Sequence, residues 1–309
     1  MTQYKASYDH QSKQLISHKI FLAKILSQCI DELIDRSDEE IIRCIESYPM
    51  IGNVSINTGE LIEGRANDFS LFNEGENTFD IFFNIYIPFR EMIEKRMINI
   101  EIQNNFYPGY SIESRAEFYA ARMLSMQYGR EISRMDYHKL KKVHTIWINT
   151  NPPKYLVNTI YQKQMTPKFV HGENKKIKES QLLNMAMMNL GKPDECTGVL
   201  RMLAVILSDE LSAKTKIEIL DREYAIQLNK KIGKELEDMC DLANAIENRG
   251  IEKGKASVLL TLFKEKLGYL TKETINSINA ASYENLERLT MNFMNIKNED
   301  DIQDILINP

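Results

Sequence analysis

The sequence predicts an α/β protein in which strands and helices are interspersed before a long helical region begins. Two nearby segments, Phe79–Ile87 and Met97–Gln103, are rich in aromatic or β-branched residues, as strands are. Ser111–Gly129 carries apolar side chains at helical spacing, and Lys141–Asn149 has the composition of a further strand. From about Ser180 onward the spacing is mostly helical, so the predicted order is helix, strand, strand, helix, strand and a helical tail.

The N-terminal helices are predicted from apolar spacing and from a capping signal. Ser17–Asp35 carries apolar residues at helical intervals. Ser37 with Glu40 three positions later is a capping box, which predicts that a second, short helix begins directly after Ser37. Gly52–Gly75 is rich in glycine, asparagine and other polar residues, and it predicts a loop with short strands.

The first two strands are expected to form a hairpin-type pair. The first strand is expected to stop at Pro88, since proline lacks the amide that a strand ladder uses. The second strand, Met97–Gln103, alternates cleanly between apolar and polar residues. This alternation places Asn99, Glu101 and Gln103 together on one polar face.

The helical tail is predicted to be broken at three glycines: Gly191, Gly250 and Gly268. Within it, Ile251–Leu267 and Thr271–Leu289 carry apolar stripes suited to helix packing. We therefore expect two parts, with residues 1–179 containing the sheet and the N-terminal helices. Residues 180–309 then form a helical region that is a candidate for self-association.

Composition excludes several classes of protein. Of 309 residues, 43% are hydrophobic and 27% are charged, which is typical of a folded soluble chain. The longest apolar run, Met202–Leu207, is far shorter than the roughly 20 residues of a membrane span, and the first thirty residues lack the order of a signal peptide. The four cysteines form no CxxC pair, which favours reduced thiols over zinc ligands. Membrane, secreted and zinc-ribbon classes are thereby excluded, and a cytoplasmic protein is expected.

The charge is unevenly distributed along the chain. The net charge is −5, but residues 111–176 hold 12 basic and 5 acidic side chains. Residues 1–110 hold 10 basic and 17 acidic side chains. A basic segment after an acidic one is expected where one surface meets phosphates while nearby carboxylates collect cations. The alternative is that the basic residues are simply solvated on helix surfaces.

Two acids of the predicted strand pair form a candidate metal site. Asp80 lies near the start of the first strand and Glu101 near the end of the second, so antiparallel pairing brings them side by side. Two carboxylates suit Mg²⁺, which also keeps water and phosphate oxygens as ligands. Such an ion promotes the attack of water on a phosphodiester. The spacing alone is a weak signal, because alternating strands often carry an acid on their solvent face.

Several segments, in this order, carry a family resemblance: NEGENTFDIFF (Asn73–Phe83), INIEIQNNFYPGY (Ile98–Tyr110), SRAEFYAARMLSMQYG (Ser114–Gly129), KKVHTIWINTNPPKY (Lys141–Tyr155) and ENRGIEKGK (Glu247–Lys255). They resemble the PD-(D/E)XK nuclease family transposases, a group related to the recombination-promoting nuclease/putative transposase proteins of bacteria. The resemblance spans nearly the whole chain.

The resemblance implies a restriction-endonuclease-like core, which is a mixed sheet flanked by helices, within residues 1–179. In such cores the acids of two motifs bind Mg²⁺ or Mn²⁺, and here these are Asp80 and Glu101. Gln103 takes the place of the lysine that usually positions the attacking water. Gln103 can hydrogen-bond water but supplies no positive charge. Phe79 stands where the first motif usually has proline, which is a second departure.

The resemblance also implies a further acid upstream of the first motif. Glu74 is the first choice for this metal ligand, Asp68 is the second, and Glu32 on the first predicted helix is the third. For each of them, a structural role as a solvated acid remains an alternative.

Four residues of the predicted helix match positions that the family uses, and they are candidates for binding nucleic acid: Arg115, Tyr119, Arg122 and Gln127. The two arginines would face the scissile phosphate or the neighbouring backbone, since arginine binds phosphate in a bidentate manner. The alternative is a helix packed on the sheet, with an arginine in a structural pair to Glu101 or Glu117.

The function implied by the resemblance is that of a metal-dependent DNA endonuclease linked to mobile elements or recombination. It would hydrolyse phosphodiester bonds with Mg²⁺-activated water. One alternative is a catalytically inactive nuclease fold that binds DNA or a protein partner. Another is an interaction protein that forms a homodimer through the helical C-terminal region, which is compatible with nuclease activity.

Overall fold

The computed structural model describes residues 2–47, 49–55, 78–89, 92–129, 131–133, 136–165, 168–172 and 181–307. The α-helices are α1 (Thr2–Ile16), α2 (Lys19–Cys29), α3 (Asp38–Cys44), α4 (Ile112–Ser125), α5 (Gly198–Leu207), α6 (Ala213–Tyr224), α7 (Lys230–Leu267), α8 (Lys272–Ala280), α9 (Tyr283–Met291) and α10 (Glu299–Ile307). The strands are β1 (Met50–Ser55), β2 (Thr78–Phe89), β3 (Met92–Gln103), β4 (Val143–Asn149), β5 (Thr159–Gln164) and β6 (Leu183–Asn189).

The strands form one mixed sheet in the order β1-β2-β3-β4-β6-β5. The first three strands pair antiparallel, as consecutive strands with short connections do. β4 lies parallel to β3, with α4 as the crossover, and β6 lies parallel to β4. β5 closes the far edge antiparallel to β6. The α/β class, the mixed sheet and the helical C-terminal region predicted from the sequence are confirmed.

Helices cover both faces of the sheet. The ring of Tyr119 on α4 packs 5.5 Å from that of Phe79 and 5.6 Å from that of Trp147, so α4 lies on the face to which Trp147 points. On the opposite face, Cys29 at the end of α2 lies 4.0 Å from the sulfur of Met188 on β6. Each large side chain buried in this way contributes about 1.5–3 kcal/mol to folding.

The predicted helix starts are well reproduced. Ser37 accepts a hydrogen bond from the Glu40 amide, and the Glu40 side chain accepts one from the Ser37 amide, so the capping box is confirmed at the start of α3. Ser111 caps α4 through the amide of Ser114. The first helix, α1, was not predicted, and the apolar segment after Ser17 forms α2 alone before a short 3₁₀ turn.

The expected stop at Pro88 is wrong, because β2 continues to Phe89 and Pro88 pairs with Ile93 in β3. The ladder between β1 and β2 reaches only Phe82, with an isolated bridge at Ile85. Among the described residues, no strand therefore needs an amide from Pro88 on the outer edge of β2, where proline is tolerated. The pair β2–β3 is correspondingly a longer hairpin than expected.

Two further expectations for the C-terminal half are wrong. Leu183–Asn189 was predicted to belong to the helical tail, but it forms β6 between β4 and β5. Leucine and methionine favour helices weakly, and pairing with two neighbouring strands outweighs that preference. Gly250 does not break a helix, because it lies inside α7 at a cost of about 1 kcal/mol. Gly268 does end α7, with a φ of +82° that suits glycine.

The chain divides into two compact units. The unit that contains the sheet runs from Asp9 to Glu237, and so extends past residue 179, the expected end of the core. The other unit combines Met1–Tyr8 with Asp238–Pro309. Its core is formed by the apolar stripes predicted in the tail, which pack against one another, for example through Phe263 and Leu286. Homodimer formation through this region stays a prediction.

Candidate active site

Asp80 and Glu101 meet where the ladder between β2 and β3 ends. The last backbone pair is Ile81 with Ile100. Beyond it, the amide of Asp80 donates to Glu101 Oε1 at 3.1 Å, and the amide of Ile102 donates to Asp80 Oδ2 at 3.0 Å. Each carboxylate thus accepts a hydrogen bond from the backbone of the other strand. These two bonds fix the orientation of both acids without an intervening cation.

The face that carries Glu101 is covered by α4 rather than exposed to solvent. Asn99 is fully buried, and the side chain of Glu101 is only 4% exposed. Asn99 donates to Thr145 on β4, and the indole N–H of Trp147 donates to the same hydroxyl. The polar side chains of β3 therefore line a site that α4 covers. The polar character of this strand face did not mean that the face is exposed to solvent.

Burial raises the pKa of both acids. For Glu101, burial and then the negative charge of Asp80 hold the pKa well above the usual range of a glutamate. Burial likewise raises the pKa of Asp80, although the charge of Lys13 and the Ile102 amide oppose the shift. Two neighbouring carboxylates repel one another when both are ionised, and a positive charge between them relieves that repulsion.

Arg115 lies beside Glu101 but directs its hydrogen bonds elsewhere. Its guanidinium donates to the hydroxyl groups of Tyr119, at 2.6 and 3.0 Å, and of Tyr110, at 3.0 Å. The nearest nitrogen lies 3.9 Å from Glu101 Oε2. The guanidinium also lies 5.4 Å from the centre of the Trp147 ring, within cation–π range. The alternative of a structural pair between Arg115 and Glu101 is therefore present in the structure as a long ion pair. The distance of 3.9 Å is too great for a direct hydrogen bond from Arg115 to the carboxylate.

Lys13 on α1 is a member of the site that sequence reasoning missed. Its Nζ lies 2.7 Å from Asp80 Oδ1 and 2.5 Å from Asp9 Oδ2. Burial lowers the pKa of Lys13, but the charges and hydrogen bonds of Asp80 and Asp9 outweigh it, so the net shift is upward. The only sequence signal was the spacing of Asp9 and Lys13, which is that of an ordinary ion pair on a helix.

Among the described residues, the cluster holds two inner acids, Asp80 and Glu101, beside two cations, Lys13 and Arg115, while Asp9 is exposed to solvent. The donor set suits a hard divalent cation, since both inner acids offer carboxylate oxygen atoms. In the part of the chain that the structure describes, no three His, Cys, Asp or Glu side chains are grouped closely enough to hold a metal ion by themselves. Glu74 and Asp68, the predicted further ligands, lie outside the described residues.

Gln103 is half-buried, and its side chain is turned into the following loop. Its amide nitrogen donates to the backbone carbonyl of Asn105 at 2.6 Å. In the sheet, Gln103 pairs with Asn149 of β4, two positions beyond Glu101. Gln103, which the sequence resemblance places at the position of a lysine, therefore supplies no charge to the two acids.

The remaining predicted residues of α4 differ in their accessibility. Tyr119 is buried, and its hydroxyl accepts from Arg115. Gln127 is fully buried, and both ends of its amide bond the backbone of Lys141, so it joins the end of α4 to the segment before β4. Arg122 is half-buried and lies 5.3 Å from the centre of the Phe118 ring. Contact with nucleic acid stays a prediction for all four residues. Because Tyr119 and Gln127 are buried, Arg115 and Arg122 are the two that solvent can reach.

Glu32, the third choice for an upstream ligand, lies elsewhere. It pairs with Arg96, with one N–O distance of 2.8 Å, on the face of β3 opposite to that of Glu101. Arg96 and Glu101 are five residues apart on the strand, or roughly 16 Å. Glu32 is therefore not part of the site formed by Asp80 and Glu101.

Comparison with known proteins adds no relative. No protein-family model, no curated protein sequence and no solved structure matches the chain.

All four cysteines are buried and free of disulfide bonds. Among the described residues, no helix combines the length and the apolar composition needed to cross a membrane.

Proposed function

We propose that this chain is a metal-dependent DNA endonuclease of the PD-(D/E)XK type, linked to mobile elements or recombination. The observation that carries the proposal is the contact between Asp80 and Glu101. Two carboxylates from adjacent strands each accept a hydrogen bond from a backbone amide of the other strand, Glu101 from Asp80 and Asp80 from Ile102, and the pKa of both acids is raised. Acids whose pKa is raised by burial and by a neighbouring acid are candidates for functional sites.

In this proposal Asp80 and Glu101 hold Mg²⁺ or Mn²⁺. When bound, such an ion supplies Lewis acidity, which favours the ionisation of water and neutralises charge on the phosphate. Hydrolysis forms one bond from the water oxygen to phosphorus and breaks one P–O bond of the backbone, and the leaving oxygen ends with a proton. The backbone amides of Asp80 and Ile102 keep the two carboxylates oriented throughout.

The substrate class is supported by the basic segment that follows β3. Residues 111–176 carry an excess of seven positive charges, and they include α4 with Arg115 and Arg122. Arg115 lies within 4 Å of Glu101, so a phosphate at the acids would lie beside a guanidinium. The mixed sheet flanked by helices also agrees with the core that the sequence resemblance implies.

The test compares cleavage of supercoiled plasmid DNA in Mg²⁺ or Mn²⁺ by the parent protein, Asp80→Asn, Glu101→Gln and a control, Glu247→Gln. Both site variants keep the size and the acceptor oxygen of the parent side chain, so folding should persist in circular dichroism. We expect each to lose at least about 100-fold in rate, while the exposed Glu247 changes nothing. Undiminished cutting by both site variants would refute the assignment.

An inactive nuclease fold that binds DNA or protein is the second candidate. It is favoured by Gln103, whose amide is occupied by the Asn105 carbonyl and which contributes no charge to the acids. That function predicts DNA binding that weakens steeply with salt, with no cleavage in either Mg²⁺ or Mn²⁺.

A further inference from the structure

We propose that Lys13, on the first helix, is the catalytic lysine of this site and takes over the positive charge that Gln103 lacks. The inference rests on the proposed nuclease function and adds a residue to it. It places the charge on a helix that lies sixty-seven residues before Asp80, rather than at the usual motif position in β3.

The first support is the position of the ammonium group. Lys13 Nζ lies 2.7 Å from Asp80 Oδ1, while the other oxygen of Asp80 accepts from the Ile102 amide. The side chain of Lys13 is only 16% exposed, so the charge is held inside the site rather than on the surface. Among the described residues, no other lysine or arginine lies within 4 Å of Asp80.

The second support is the number of donors. A lysine ammonium has three N–H groups. The described residues occupy two of them, through Asp80 and Asp9, and these two acids fix the direction of the side chain. The described residues supply no acceptor for the third N–H, so it can reach a water molecule or a phosphate oxygen next to Asp80, which is the role that a lysine at position 103 would have.

The test moves the charge from one position to the other. Plasmid cleavage in Mn²⁺ is measured for the parent, Lys13→Met, Lys13→Arg, Gln103→Lys and the double variant Lys13→Met with Gln103→Lys. We expect Lys13→Met to lower kcat at least about 100-fold with KM for DNA changed less than about threefold. The double variant should recover at least about tenfold of that loss, and Lys13→Arg should be intermediate. The control is Lys231→Met, which removes a lysine whose side chain is 75% exposed and should leave the rate unchanged.

A second readout separates catalysis from architecture. Mn²⁺ alone is titrated into each protein, without DNA, and free Mn²⁺ is followed by electron paramagnetic resonance. Because Lys13→Met removes a positive charge near the acids, it should bind Mn²⁺ about fivefold more tightly than the parent. If Lys13 only held the site together, the same variant would bind Mn²⁺ more weakly.

The outcomes distinguish the two proposals. A parent protein that never cuts DNA refutes the nuclease function. A parent that cuts while Lys13→Met cuts equally well refutes only the role of Lys13. Loss of cutting together with weaker Mn²⁺ binding and no recovery on adding Gln103→Lys also refutes it, because Lys13 would then be a structural residue.

Discussion

Strand β3 buries a charge near each end, and the two surroundings are opposite in character. Toward its start, Arg96 is 1% exposed and pairs with Glu32 and Glu94, while Lys142 lies 3.6–3.7 Å from the same two acids. Toward its end, Glu101 is 4% exposed and touches Asp80, with Lys13 and Arg115 close by. The hydrogen bond and charge of Arg96 lower the pKa of Glu32 in the first cluster, whereas burial and the charge of Asp80 raise the pKa of Glu101 in the second.

The comparison separates charges that stabilise the folded state from charges whose burial opposes folding. In the first cluster the acids and the cations pair with one another, so removing one cation leaves a negative charge without its partner. In the second cluster the two neighbouring acids repel one another when both are ionised, and replacing one of them by a neutral amide relieves that repulsion. Substitutions at the two ends of the same strand should therefore change stability in opposite directions.

The largest effect is expected for Arg96→Met. This variant leaves Glu32 and Glu94 without the cation that lies between them, and we expect the free energy of unfolding to fall by about 3 kcal/mol. Urea unfolding at pH 7 measures it. Lys214→Met, which removes a lysine that is 87% exposed, should cost less than about 0.5 kcal/mol. A loss for Arg96→Met as small as that of this control would show that the cluster is not stabilising.

A smaller loss is expected for Glu32→Gln, and it should depend on pH. The hydrogen bond and charge of Arg96 lower the pKa of Glu32 to about 2, so its stabilising contribution is complete above the usual glutamate range. The contribution disappears as the pH falls through that range toward 2, since the folded state must then take up the proton. At pH 7 we expect a loss of about 1.5 kcal/mol, because Glu94 still pairs with Arg96.

Thermal unfolding of parent and Glu32→Gln between pH 2 and 7 measures this difference. The two curves should converge at the acid end, whereas Glu247→Gln should follow the parent throughout. A constant gap between parent and Glu32→Gln across the range would contradict an ion-pair origin.

The smallest effect, of opposite sign, is expected for Glu101→Gln in the presence of a chelator. Because the pKa of Glu101 is raised in the folded state, the unfolded state loses its proton at a lower pH than the folded state. The parent therefore loses stability as the pH rises above the usual glutamate range, and glutamine removes that loss. We expect Glu101→Gln to be more stable than the parent by about 1 kcal/mol at neutral pH.

The gain should be absent near pH 4 and should grow toward pH 8, as followed by urea unfolding in EDTA. Adding Mn²⁺ should stabilise the parent and leave Glu101→Gln unchanged, which would reverse the order of the two proteins. A variant less stable than the parent at every pH would show that Glu101 serves the fold rather than a cation.

Local sequence patterns alone predicted those helices and strands whose periodicity or capping signal is contained within the element itself. The alternation of Met97–Gln103, the strand before Asn149 and the capping box at Ser37 all predicted the observed elements, because each signal lies within a few residues. The nearness of Asp80 and Glu101 followed from the hairpin, since antiparallel partners on a short connection have a nearly fixed register.

Tertiary structure alone decided which of these residues are buried and what else joins them. The polar face of β3 is covered because α4 packs over Trp147, and β6 is a strand because β4 and β5 flank it. Lys13 reaches Asp80 from sixty-seven residues away in the chain, so no local pattern could connect the two. Periodicity reports on neighbours along the chain, whereas the charge balance of a buried cluster depends on contacts that only folding brings together.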